Sequence, residues 1–289
     1  MSTQKTVLSV LPHASNHWVG DGFEIRNLFP SNDLGERISP FLLADYFGPT
    51  AFSPTQQKRG VGEHPHRGFE TVTLLFEGQV AHRDSAGHSG TIGPGDVQWM
   101  TAGSGIVHEE FHSPEFSAAG GTFHGVQLWV NLPAKHKLDP PRYQGILAAD
   151  IPSVDLGSGS HARIIAGTLA GTSGPAQTVT PMNLWDVTLT AGSDTTLELP
   201  DGHNSAALLL QGRAKVQDSE PLTDAHIAVL DRAGTSLTIT AAENTRLLLL
   251  SGEPIHEPVV SHGPFVMNTP AEINQAIRDY QSGKMGRLS

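Results

Sequence analysis

Short bursts of apolar residues, each closed by glycine, proline, asparagine or aspartate, run along most of this chain. That rhythm predicts short strands joined by tight turns rather than long helices. Residues 6–11 and 24–29 open the series, with Pro30-Ser31-Asn32-Asp33 predicted as a turn after the second. Residues 41–49 read as a buried strand running into a polar loop, 50–62, placed to line the mouth of a pocket. Residues 69–76, 79–85, 97–101 and 122–131 read as further strands, with turns at Glu77-Gly78, at Ala86-Gly87 and over Gly90-Thr91-Ile92-Gly93-Pro94-Gly95-Asp96.

The stretch 132–160 is rich in proline, glycine and polar residues and reads as a crossover between domains, here expected to be 1–133 and 134–289. A second strand-rich block follows, with strands predicted at 184–189, 195–199, 206–210, 212–216, 225–230, 235–239 and 245–250. Its turns at Asp201-Gly202 and Gln211-Gly212 resemble Glu77-Gly78, which makes an internal duplication plausible. One helix stands out near the C-terminus. Thr269 caps it, Pro270 fits its first turn and Glu272 completes a capping box. Ile273, Ala276, Ile277 and Tyr280 share one face, and Gly283 stops it. The fold class is therefore all-β, two barrel or sandwich domains with a short C-terminal helix.

Composition narrows the chemistry. The formal charge of −11 disfavours direct contact with nucleic acid, whose phosphates it would repel. With 0 cysteines, disulfides and thiolate chemistry are excluded and any metal must sit on histidine and carboxylate. No apolar run approaches a membrane span, and residues 1–18 lack a basic start followed by an apolar run, so a cytoplasmic protein is expected.

Two phrases carry the candidate chemistry: Glu63-His64-Pro65-His66-Arg67-Gly68-Phe69-Glu70 and Gly103-Ser104-Gly105-Ile106-Val107-His108-Glu109-Glu110. Side chains two apart on a strand share a face, roughly 6.6 Å apart. Each phrase can thus aim two ligands to one side of a sheet. Inside a barrel, three imidazoles and one carboxylate would converge on a divalent metal. Such nitrogen and oxygen donors suit iron or manganese at least as well as zinc. The competing explanation is chance pairing among 15 histidines, with His82, His88, His112 and His124 close by in sequence. In the second block, His203 and His226 stand alone and read as ordinary histidines, so metal is expected in the first domain.

His64-Pro65-His66-Arg67-Gly68-Phe69-Glu70-Thr71-Val72 resembles the first signature of the pirin family, within the cupin superfamily. Pro94-Gly95-Asp96-Val97-Gln98-Trp99-Met100-Thr101-Ala102-Gly103 and Gly105-Ile106-Val107-His108-Glu109-Glu110 are similar to its second. Gln127-Leu128-Trp129-Val130-Asn131-Leu132-Pro133 and Gly263-Pro264-Phe265-Val266-Met267-Asn268-Thr269 also resemble family segments. The resemblance implies a bicupin with iron, Fe(II) or another divalent transition metal, in the N-terminal barrel. It implies His64, His66, His108 and Glu110 as ligands, with Glu70 the rival carboxylate found in many cupins.

Two activities follow from the resemblance. One is a quercetinase-like dioxygenase opening a flavonol ring with O₂, a small aromatic substrate. In that reading Glu110 either takes the hydroxyl proton or serves as a plain ligand. The other is an iron-containing regulator of transcription that binds a protein partner. Phe47, Phe69, Met100 and Phe123 are candidates for an apolar pocket wall, and Gln127 and Asp45 for hydrogen bonds to substrate or to metal-bound water.

Overall fold

The computed structural model describes residues 3–13, 15–29 and 34–288. The turn expected at residues 30–33 lies outside the described residues. Contacts divide the chain into two compact units, each assembled from separate stretches. Ser15–Arg26, Leu43–Ala148 and Ile255–Ser289 form one, and Met1–Ala14, Asn27–Leu42 and Ala149–Pro254 form the other. A single boundary after residue 133 would group the C-terminal helix with the second domain. The contacts group it with the unit carrying the two histidine phrases.

That unit is built on two antiparallel sheets. One runs in the order Gly60–His66, Ile106–His112, Val80–Asp84, Ser89–Ile92. The other runs Arg142–Ile146, Val97–Thr101, Phe69–Glu77, Gly121–Asn131, Phe41–Phe52, Phe23–Phe29, Ser15–Val19. Phe69–Glu77 is buried from Phe69 through Phe76, its polar residues Glu70, Thr71 and Thr73 included. At one end Phe23, Phe47, Leu75, Val80, Phe116 and Phe123 form an aromatic core. Phe47 and Phe123 stack there with ring centroids 5.4 Å apart, so they serve packing and not the pocket suggested by the sequence.

The helix Pro270–Gln281 forms as its caps predict: the Thr269 hydroxyl accepts from the Glu272 amide at 3.2 Å. Its apolar face, Ile273 and Ala276, packs with Val107, Phe265, Met267 and Met285. Ser89–Ile92 is a strand where the sequence predicts a turn, because it pairs with Val80–Asp84. Other elements of this unit are likewise not legible as hydrophobic bursts. The helix Pro114–Ala119 is capped by Ser113, whose hydroxyl accepts from the Phe116 amide at 3.0 Å. The strand Arg142–Ile146 lies inside the proline-rich crossover and pairs with Val97–Thr101.

The other unit has a seven-stranded sheet in the order Val7–Pro12, His226–Leu230, Asn204–Gln211, Thr245–Gly252, Met182–Leu189, Ser160–Ala166, Ser153–Gly157. A three-stranded sheet runs Asp194–Glu198, Ser236–Ala241, Ala214–Val216. Its core gathers Trp185, Val187, Leu197, Leu209, Ile239 and Leu249. All seven strands predicted for the second block form, within a few residues of the expected ends.

Candidate metal centre

The two histidine phrases become neighbouring strands. In the pairing of Ile106–His112 with Gly60–His66, His108 lies opposite His64 and Ile106 opposite His66. Residues facing each other across a ladder point to the same side, as do residues two apart. His64, His66, His108 and Glu110 therefore share one face. A bulge sets two residues, Gly62 and Glu63, against Glu109 alone. It lets the His64 ring fold back so that Nδ1 donates to the Gly62 carbonyl at 2.8 Å, leaving Nε2 free to coordinate. Ligand atoms of His64, His66 and His108 lie within 4.8 Å of one another, so the three could hold a metal ion.

The donor set fits a cation. His108 is 1 % exposed, yet neither of its ring nitrogens has a hydrogen-bond partner among the described residues. Two unmet polar atoms on a buried ring are costly unless something binds them. Burial, then the neighbouring imidazoles, hold His66 and His108 well below the ordinary histidine range. Both are thus neutral with lone pairs available, as a metal requires.

Glu110 and Glu70 are both buried, but they face opposite ways. Gln127, Thr73 and Gln98 form one row across three strands of the larger sheet, and Trp129, Thr71, Met100 and Tyr143 the next. This is the face turned to the histidines, because Trp129 and Phe69 hold the His66 ring at centroid distances of 5.5 and 5.1 Å. Gln127 Nε2 donates to Glu110 Oε2 at 3.2 Å and to Thr73 Oγ1 at 3.1 Å. Glu70 follows the other parity. It sits opposite Thr101 and accepts from that hydroxyl at 2.6 Å. Burial raises both carboxyls. His64 opposes the rise at Glu110, whereas the Thr101 hydroxyl is the main opposing influence at Glu70.

Other residues sort by the same geometry. Phe69 and Met100 do stand on the histidine-facing side, and Met100 packs with Ile106 and Tyr143. His112 donates to the Gly22 carbonyl at 2.8 Å and stacks on Phe123, and His124 pairs with the Tyr46 hydroxyl at 3.1 Å, so both are structural. His82 is different. It lies opposite Glu110 and shares a 2.8 Å hydrogen bond with the Tyr143 hydroxyl. Sequence reasoning passed over Tyr143, Trp129 and Gln98 as site residues and named His82 only among the neighbouring histidines. The alternation within 97–101 could have flagged Gln98 as a polar residue in an otherwise buried strand. The loop residues Thr55 to Lys58 line a cavity of about 550 Å³ with Arg83, Glu109 and Phe111. Glu109 and Phe111 belong to the parity opposite to His108 and Glu110, so this cavity opens largely on the outer side of the ligand strand.

A double β-domain chain with a three-histidine cluster on adjoining strands, two of its rings buried, defines the class of two-domain cupins. The pirin family model matches residues 22–130, and the model of the pirin C-terminal cupin domain matches residues 184–286. The chain belongs to the pirin family. A Pseudomonas aeruginosa protein whose name provisionally assigns it quercetin 2,3-dioxygenase activity is 53 % identical over 284 residues, covering 98 % of this chain and 99 % of its own. Pirin of Homo sapiens is 37 % identical over 290 residues, covering 99 % of this chain and 95 % of its own. A crystal structure of quercetin 2,3-dioxygenase from Acinetobacter baumannii matches with a TM-score of 0.97 at 50 % identity, over 99 % of this chain and 100 % of that one. Among the described residues no helix is long and apolar enough to cross a membrane.

Proposed function

We propose that this chain is a metal-dependent dioxygenase that opens the ring of quercetin-like flavonols with O₂, using Fe(II) or another divalent transition metal held by His64, His66, His108 and Glu110. The observation that carries this reading is the three-histidine cluster with Glu110 on the same face and Gln127 fixing its carboxylate. The likeness to relatives named for quercetin dioxygenation supports the choice of substrate class. When bound, the metal supplies Lewis acidity that stabilises the oxyanion of a deprotonated hydroxyl. The remaining work falls to side chains. Glu110, as a carboxylate on the same face, takes the hydroxyl proton. Gln127 holds that carboxylate in place through its amide. Phe69, Trp129 and Met100 offer apolar surface that excludes water and accepts a planar ring.

The test is anaerobic loading with iron, manganese, cobalt, nickel or copper in turn, followed by quercetin and then air. Loss of the flavonol absorption band with release of carbon monoxide supports the reading. Full metal occupancy with no flavonol consumed for any metal overturns it. That outcome would leave the alternative function, an iron-containing regulator acting through a protein partner.

A further inference from the structure

Gln98 is 1 % exposed on a strand that is buried throughout, and neither Nε2 nor Oε1 has a hydrogen-bond partner among the described residues. It stands on the histidine-facing side of the larger sheet, between Thr73 on one neighbouring strand and Gly145 on the other. Thr73 already accepts from Gln127, and Gly145 brings no side chain. Two polar contacts bridge the sheets on either side of it: Gln127 to Glu110 at 3.2 Å, and Tyr143 to His82 at 2.8 Å. The side chains in these contacts are partnered, whereas the Gln98 amide is not. A buried amide with both a donor and an acceptor unmet is costly to keep unless a ligand completes it.

We infer that Gln98 is a substrate-reading residue, which hydrogen-bonds an oxygen of the flavonol remote from the hydroxyl that Glu110 deprotonates. This rests on the functional reading above. The distance argues for a remote oxygen. Gln98 and Gln127 occupy one row two strands apart, about 9–10 Å between backbones, which is the breadth of a fused phenolic ring system rather than of one reacting centre. The amide suits a phenolic hydroxyl because it can accept that proton through Oε1 and donate to the oxygen through Nε2. The ligand class is therefore a planar phenol with peripheral hydroxyls. An aromatic lacking them would leave the amide unmet and bind more weakly.

The experiment compares wild type with Gln98→Met, both loaded with nickel and kept free of O₂. Each is titrated with quercetin and with 3-hydroxyflavone, which keeps the reacting hydroxyl but lacks the peripheral ones. Binding is read from the shift of the flavonol band, alongside metal content and thermal midpoint. Expected are unchanged metal content, a quercetin dissociation constant raised about 10-fold, and 3-hydroxyflavone binding unaltered. Gln98→Asn, which keeps the amide but withdraws it by one methylene, should show the same selective loss and serves if the methionine variant folds poorly. Equal quercetin affinity in wild type and variants, or equal weakening for both flavonols, overturns the inference while the dioxygenase reading stands. If nickel-loaded wild type binds neither flavonol, the functional reading fails and the inference falls with it.

Discussion

Arg67 and Asp279 are 212 residues apart in sequence and form an ion pair at 2.9 Å, with both side chains largely buried. Arg67 follows His66 of the three-histidine cluster, and its Nε also donates to the Ser104 carbonyl at 2.7 Å in the loop leading to His108. One guanidinium thus ties the two histidine phrases to the C-terminal helix. The helix grouped by contacts with the histidine unit is part of what holds the site in shape.

Removing the carboxylate should therefore be felt at the site. Asp279→Ala leaves a buried guanidinium short of its partner, and stability should fall by about 3 kcal/mol in chemical denaturation. Metal stoichiometry should fall with it. Lys284 and Arg67 hold the Asp279 carboxyl below the usual carboxylate range. Its contribution is then complete above the ordinary aspartate value and is lost only as the pH falls through the lowered one. Asp279→Asn should remove this acid-side dependence, visible as a flatter stability curve below pH 4.

Gly68 shows a second constraint beside the histidine cluster. Its φ is +84°, and a Cβ there would run into the Val266 carbonyl oxygen. Gly68→Ala combines left-handed strain with a backbone clash, so a loss on the order of 2 kcal/mol or more is expected. Because Lys137 Nζ donates to both the Gly68 and Val266 carbonyls, at 2.7 and 3.0 Å, the strands cannot simply separate to make room. Thermal unfolding of the variant measures this directly.

The strand rhythm and the His-x-His and His-x-Glu pairs were readable in the sequence because both are local. A period of two puts His64 with His66 and His108 with Glu110 without knowledge of the fold. Choosing between Glu110 and Glu70 needs more, since the face each presents depends on register with Thr101, Gln127 and Thr73 on separate strands. Gln98 and Tyr143 escaped notice as site residues for the same reason. The row joining Gln98 to Gly145 runs through the proline-rich crossover, where no hydrophobic burst marked a strand. The helix at Pro114–Ala119 was hidden because Ser113-Pro114-Glu115 serves equally as turn chemistry or as a helix cap.

The metal-free protein should have a distinctive pH response. Burial keeps His66 and His108 well below 6.5. As the pH drops below that value the unfolded chain takes up protons that the folded protein refuses, so stability declines on the acid side and is intact above it. Glu110 works in the opposite sense. Its carboxyl is raised, so its contribution is present below the ordinary glutamate value and is lost as the pH rises through the folded one. The two trends partly cancel in wild type. In chelator-treated Glu110→Gln the acid-side loss should be steeper, as followed by urea midpoints between pH 8 and 5. An unchanged slope would show that Glu110 is not held protonated.

The sharpest comparison is between the two buried carboxylates. Glu110 shares a face with the three histidines and is held by Gln127, whereas Glu70 points through the opposite side of its sheet to Thr101. Glu110→Gln keeps shape and hydrogen-bonding capacity but removes both the anionic ligand and the proton acceptor. Metal content measured by elemental analysis should fall, and flavonol turnover should drop about 100-fold or more. Glu70→Gln alters one buried hydrogen bond, for which a cost of about 1 kcal/mol in stability is expected, with metal content preserved. His64→Ala provides the scale, since losing one of three clustered imidazoles should strip most of the metal while the two large cores keep the fold. Were Glu70→Gln to lose metal and Glu110→Gln to retain it, the ligand set would have to be redrawn around the other face of the sheet, and the parity argument linking Glu110 to the histidines would fail.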